Sequence, residues 1–247
     1  MSATRQDVSM PSDRRSWVVD ELAYAGRENR DAEHLARYDA KMDSGAAAEL
    51  AALRAAGLGE DATVVDLGAG TGQFALAAAG AVRRVVAVDV SPVMLEHLRA
   101  TVRGRGIDNV ECVEGGFLTY EHGGEPADLV YSRLALHHLP DFWKARALVR
   151  MAEMLRSGGM LRLSDVVYGF EPGEAEACLE RWMSEMASDD VEGGWTRAEL
   201  EEHVRDEHST FTWLLEPMIE KAGFAVEQAD YSDDRIFADY LCVKTPA

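Results

Sequence analysis

Cysteine is scarce and unpatterned in this chain. Only Cys112, Cys178 and Cys242 occur among 247 residues. Their number is odd, their spacing is wide, and no C-x-x-C pair is present. A disulfide framework or a thiolate metal clip is thereby excluded as the organising principle, and a reducing compartment is expected. Long apolar runs are missing as well. No uninterrupted stretch reaches the roughly 20 residues that span a bilayer, so no membrane partner is expected. The first 17 residues contain no apolar h-region of a secretory signal, which leads to the expectation of a cytoplasmic protein. Positive charge is the third shortage. With 25 Lys and Arg against 44 Asp and Glu, the formal net charge is −19. Such a surface repels phosphate backbones, so nucleic acid is a poor general partner. The short basic runs Arg83-Arg84 and Arg103–Arg105 read as solvated loop or helix ends. Internal repeats and low-complexity tracts are also lacking.

What remains is ordinary globular material. The apolar share is 47% and the charged share 28%, as in soluble domains, and there is enough chain to bury a sizeable core. Residues 1–57 are read as an N-terminal segment that is helical from Ser16 to Gly57. Trp17, Val18, Leu22, Leu50 and Leu53 recur there at helical spacing, and Gly57 and Gly59 stop the pattern. After this the period changes. Thr63–Leu67, Val85–Val90, Val110–Val113, Leu129–Ser132 and Met160–Val167 are short apolar runs that suit buried strands. Helices separate them: one over Gln73–Ala79, one opened by Ser91 as N-cap with Pro92 behind it and ending near Gly104, and one capped by Asp141 and running to Leu155. This alternation predicts a parallel, doubly wound sheet with helices on both faces.

From Tyr168 to about Ser209 the alternation breaks. The segment is acidic and helical, with a capping box at Thr196 and Glu199. It reads either as a cap inserted over the carboxyl edge of the sheet or as a peripheral helical pair that only packs. A helix over Phe211–Ala222 and two strands, Phe224–Tyr231 and Ile236–Val243, complete the chain. They place one antiparallel strand in the sheet.

The first strand runs into Asp66-Leu67-Gly68-Ala69-Gly70-Thr71-Gly72-Gln73. Glycines permit a tight turn and close approach of the backbone to a ligand, at the strand end where open α/β sheets bind. The dinucleotide fingerprint G-x-G-x-x-G would need its third glycine at residue 73, which is Gln73. Here the third glycine is Gly72. That spacing argues for a nucleoside ligand lacking pyrophosphate and against NAD. The second strand ends on Asp89, 17 residues beyond Gly72, where a carboxylate can accept hydrogen bonds from both ribose hydroxyls. Ser91 already serves as the cap of the following helix, so Asp89 is left for a ligand.

These residues resemble the class I methyltransferases that use S-adenosylmethionine (SAM). The likeness extends from about Val64 to Val243. It is carried by Asp66–Gly72, by Val88–Pro92 with Met94-Leu95, by Ala127–Ser132 with Leu136–Leu139, and by Leu155–Leu161. It is nearest to the branch with quinone-biosynthesis and small-molecule enzymes. The resemblance implies a Rossmann-like, mostly parallel seven-stranded sheet within residues 58–247, with a cap insertion at about 168–209. It implies SAM as cofactor and S-adenosylhomocysteine as product. Gly68 and Gly70 would then pass close to the methionine part, which Ser132, Arg133 and Leu134 would also contact, and Asp66, Ala69 and Gly72 would complete the cofactor-binding set. Asp89 would hold the ribose, Val90 and Met94 would line the adenine, and Gly116 and Phe117 would form its edge. Many members carry an Asp where this chain has Gly116, so the exocyclic amine of adenine loses that carboxylate partner here.

Methyl transfer is an in-line displacement at an activated carbon, and it requires alignment and exclusion of water more than acid–base groups. The catalytic candidates are His137, just past the fourth strand, and Tyr168, after the fifth. His138 points elsewhere than its neighbour, and both histidines lack the ligand spacing that a metal needs, so no metal is expected. Tyr24, Tyr38, Trp182, Trp195 and Trp213 read as helix-packing aromatics or as pocket lining, and His203 and His208 as solvent-facing. The expected partner is a small-molecule acceptor with an O, N or C nucleophile, and the expected state is monomer or homodimer. The alternatives are a SAM-assisted cyclase or decarboxylase of the same fold, a SAM-binding regulator, and, disfavoured by Gln73, a dinucleotide oxidoreductase.

Overall fold

A computed structural model describes residues 16–26, 45–190 and 194–246. The short helix α1 (Glu21–Tyr24) and the longer α2 (Ala46–Ala55) lie within the predicted helical segment. Residues 27–44, with Tyr38, lie outside the described residues. Strand β1 (Thr63–Leu67) leads into α3 (Gln73–Ala79), β2 (Arg84–Asp89) into α4 (Pro92–Arg105), and then come β3 (Val110–Glu114) and β4 (Ala127–Arg133). Helix α5 (Asp141–Met154) precedes β5 (Leu155–Tyr168). Helices α6 (Ala175–Met186) and α7 (Arg197–Asp206), the two-residue β6 (Thr210–Phe211), α8 (Thr212–Lys221), β7 (Phe224–Tyr231) and β8 (Phe237–Lys244) follow.

The strands order as β3-β2-β1-β4-β5-β8-β7, with β6 pairing to the far end of β5. β1 to β5 are parallel, and β8 is antiparallel to both β5 and β7. This is the Rossmann-like, mostly parallel sheet that the sequence predicts. Every residue of β1 is buried, because both faces of the sheet are covered. Side chains alternate across it. Val65, Val86 and Val130 pack with Leu148 and Met151 of α5 and Leu215 and Ile219 of α8. Val64, Val85 and Leu129 face Leu53 of α2, Phe74 of α3 and Leu98 of α4. Truncating one such buried Leu costs about 2–5 kcal/mol. Among the described residues, no helix is long and apolar enough to cross a membrane.

Two local expectations need correction. The fifth strand does not begin at Met160 but at Leu155, and the glycine-rich segment Arg156–Gly159 bulges within it. Ala127 pairs with Leu155 and Leu129 with Met160, so two steps along β4 match five along β5. Asp141 does not cap α5. It is the first helical residue, with Pro140 at the cap position, and its carboxylate instead accepts from Lys144 Nζ at 2.9 Å and Thr210 Oγ1 at 3.2 Å. By contrast, Ser91 caps α4 through Met94 N–H at 3.2 Å. The capping box of Thr196 and Glu199 opens α7.

The residues after β5 build a third apolar cluster. Cys178, Trp182 and Met183 of α6 and Leu200 of α7 pack on Val166, Tyr168 and Phe170. Residues 178 and 182 share a helix face by their spacing, which turns that face of α6 toward the end of β5.

Candidate active site

The glycine loop is held by its neighbours at the carboxyl edge of the sheet. Gly68 N–H and Ala69 N–H donate to the Val88 carbonyl at 2.9 and 3.0 Å. Gly68 has φ 74°, and a Cβ there would lie 2.4 Å from Ala135 Cβ. At Gly72, with φ 84°, a Cβ would meet Leu98 Cδ1 at 2.2 Å. Only glycine satisfies both the positive φ and the close contact. Asp89 reaches back from β2 to this loop. Its Oδ2 accepts from Gly70 N–H at 2.8 Å and its Oδ1 from Ser91 N–H at 2.7 Å. A carboxylate offers about four lone-pair sites, so each oxygen retains capacity for a ligand hydroxyl.

The electrostatics are those of two buried acids side by side. Burial raises Asp89 against the opposing N–H groups of Ser91, Gly70 and Val90. Asp66, at the end of β1, is pushed up to about 8 by burial and then by the charge of Asp89. Asp66 Oδ2 and Ser132 Oγ are buried and have no hydrogen-bond partner among the described residues. They sit at the carboxyl ends of adjacent strands. Two orphaned polar atoms beside a glycine cradle fit the polar amino-acid end of a nucleoside cofactor.

A cleft opens here, between Gly68, Gly70, Asp89 and Val90 on one side and Leu134, Ala135, His138 and Leu139 on the other. Gly116 and Phe117 form its end wall. Of the other expected cofactor residues, Met94 is buried behind this wall and Ala69 and Arg133 are half-buried.

Glu21 of α1 also lines the cleft, and sequence reasoning missed it. Its carboxylate accepts from Leu118 N–H at 3.1 Å and Thr119 Oγ1 at 3.1 Å. A Cβ on residue 116 would lie 2.5 Å from Glu21 Oε1. A carboxylate therefore does stand beside Gly116, brought by residue 21, and it fills the space a side chain at 116 would need.

The two catalytic candidates stand away from the cleft wall. His137 is buried between Asp165 of β5 and Glu207 at the end of α7. Its Nδ1 pairs with Asp165 Oδ1, its N–H donates to Asp165 Oδ2 at 3.1 Å, and its Nε2 lies 3.0 Å from Glu207 Oε2. Burial opposes charge on this ring, but the carboxylates of Asp165 and Glu207 outweigh it and push His137 up to about 10. The neighbour, His138, lines the cleft instead. Burial, then the charge of His137, lowers it to about 3. Tyr168 stacks on Phe170 at 5.1 Å and meets Phe211 edge-on at 5.9 Å, inside the cap cluster.

Of the other aromatics, Trp182 belongs to that cluster, Trp195 packs against it, and Trp213 and Tyr24 are exposed. His203 is not solvent-facing. Its ring packs against His137 at 5.2 Å and Trp182 at 6.1 Å.

Comparison with known proteins follows the same outline. Residues 64–159 match the methyltransferase-domain family. An uncharacterized methyltransferase of Anoxybacillus flavithermus is 26% identical over 62% of this chain and 76% of its own length. A SAM-dependent methyltransferase from Aquifex aeolicus shares the fold with a TM-score of 0.60 at 17% identity, over 87% of this chain and 99% of that one. So does the [4+2]-cyclase SpnF, with a TM-score of 0.60 at 16% identity over 81% of each chain. The glycine loop and the strand-end carboxylate, arranged for a nucleoside, both lie within the residues that match the methyltransferase-domain family, and in these residues and in its fold the chain is similar to the class I SAM-dependent methyltransferases.

Proposed function

We propose that this chain transfers the methyl group of SAM to a small-molecule acceptor through an oxygen, nitrogen or carbon nucleophile. The observation that carries this reading is Asp89, whose carboxylate is oriented by Gly70 and Ser91 N–H groups at the mouth of the cleft. In this reading Asp89 binds the ribose hydroxyls. Asp66, Gly68, Ala69, Gly70, Gly72, Ser132 and Arg133 surround the amino-acid end. Val90, Met94, Gly116 and Phe117 hold the adenine, with Glu21 supplying a carboxylate at its edge. SAM brings a methyl carbon already activated by the sulfonium, so the chain's own task is to align the acceptor and exclude water. Helix α1 closes the adenine end of the cleft, and residues 168–209 act as a cap over the acceptor side. A net charge of −19 and a narrow cleft favour a small acceptor over a nucleic acid. No general base is required where the acceptor is already a nucleophile.

The likeness to a [4+2]-cyclase of the same fold gives a second reading, in which SAM is bound without being consumed. Calorimetric titration with SAM and with S-adenosylhomocysteine, on the wild type and on Asp89→Ala, tests the cofactor. Micromolar binding of both to the wild type, lost in the variant, is the expected result. A folded chain that binds neither refutes the proposal. Release of S-adenosylhomocysteine during turnover with an acceptor library separates methyl transfer from the second reading.

A further inference from the structure

Three side chains converge behind the cleft wall. His137 Nε2, His203 Nδ1 and a Glu207 carboxylate oxygen all lie within 4.8 Å of one another. Glu207 Oε2 is 3.0 Å from His137 Nε2 and 2.5 Å from His203 Nδ1. Even so, this buried oxygen has no hydrogen bond of acceptable geometry among the described residues. His137 Nδ1 is engaged by Asp165 Oδ1, and His203 Nε2 by Ser209 Oγ at 3.3 Å. A neutral His137 with its hydrogen on Nδ1 toward Asp165, and a neutral His203 with its hydrogen on Nε2 toward Ser209, each turn a lone pair toward Glu207. In those tautomers two ring nitrogens and one carboxylate oxygen converge as donors in a buried space, and a bound ion would replace the proton that His137 otherwise carries between Asp165 and Glu207.

We propose that His137, His203 and Glu207 bind one divalent transition-metal ion of the zinc type. Two imidazole nitrogens and one carboxylate oxygen form a familiar donor set for zinc, with a fourth position left for water. Zinc–ligand bonds of about 2.0–2.2 Å in a tetrahedron place the donors roughly 3.3 Å apart, close to the separations seen here. Asp165 supplies the carboxylate that orients a metal-bound histidine through its other nitrogen. The ligands come from distant parts of the chain. His137 lies in the turn after β4, and His203 and Glu207 are four residues apart at the end of α7. The donation of His208 N–H to the His137 carbonyl at 3.0 Å already holds these two parts together. An ion there would latch the cap to the turn whose next residue, His138, lines the cleft. The proposal is independent of the cofactor reading.

The test uses the full chain, purified without a histidine tag and stripped with a chelator. It is titrated calorimetrically with Zn²⁺ and, separately, followed by visible absorption with Co²⁺. One equivalent taken up, ligand-field absorption of nitrogen-bound cobalt, and a higher Tm with Zn²⁺ are expected. His203→Gln and Glu207→Gln should remove uptake, and Asp165→Asn should weaken it roughly 10- to 100-fold, as for a residue that orients a ligand. His203 is partly exposed, which favours a folded variant, and circular dichroism checks this. A folded wild type that takes up no ion, or shows no cobalt absorption, overturns the proposal and leaves a proton-bridged cluster. Uptake that survives both substitutions overturns it as well.

Discussion

Replacing Asp66 by Asn should make the chain more stable, and increasingly so as the pH rises. Asp66 is 2% exposed, and burial followed by the charge of Asp89 pushes its pKa from 3.8 to about 8. A carboxyl whose folded pKa lies above its unfolded value holds a proton in the folded state that the unfolded chain has already released. Folding therefore binds a proton, and stability falls as pH rises from about 4 to about 8, then levels off. Each pKa unit corresponds to about 1.4 kcal/mol. Between about pH 5.5 and about pH 8 the wild type should thus lose roughly 3 kcal/mol relative to Asp66→Asn. Asparagine keeps the shape and stays neutral throughout, so the difference between the two proteins isolates this one carboxyl. Urea unfolding of both across that range, with equal m-values confirmed, gives the difference directly. If the difference stays constant within about 0.5 kcal/mol across the range, Asp66 ionises normally and the reasoning fails.

Two other substitutions probe the scaffold around the site. Gly68→Ala combines a positive φ with a Cβ 2.4 Å from Ala135 Cβ. It should cost about 2–4 kcal/mol in urea unfolding, while Gly123→Ala, whose Cβ meets nothing within 4 Å, should stay within about 0.5 kcal/mol. Thr196→Ala removes the hydroxyl that accepts from Glu199 N–H and should lower stability by about 1 kcal/mol, with Thr196→Ser restoring most of it.

The sequence was most legible where one local rule governs. Thr63–Leu67 and Gln73–Ala79 form the expected elements because a short apolar run between glycine-rich turns has few other outcomes. Thr196 and Glu199 form the expected capping box because three residues of spacing suffice to set it. Legibility ended where the partner is remote in sequence. Glu21 sits beside Gly116, 95 positions away in sequence, and nothing near residue 21 marks it among other helical glutamates. His203 and Glu207 lie in a run with Glu199, Glu201, Glu202 and Asp206, where charge suggested a solvated face. In the fold, Leu200 and His203 share the inner face of α7, and Trp182 of α6 covers it. The bulge in β5 was hidden for a similar reason. A turn sequence looks the same whether the strand begins after it or continues through it.

The glycine loop and the helical segment after β5 differ in the kind of chemical information they store. The glycine-loop side is made largely of peptide groups, with Gly68, Gly70, Gly115 and Gly116 presenting main chain rather than side chains. A surface of peptide groups is encoded by the lack of a Cβ at a few positions, and the rest of the sequence can drift without altering it. The cap is encoded in the reverse manner, through the particular shapes of Trp182, Tyr168, Phe170 and Phe211. Divergence should therefore erode recognisable similarity in the cap first, which accords with a family match that spans the loop and stops at residue 159. The glycine loop is thus the more durable record of ancestry, and the apolar cluster after β5 the faster-changing one.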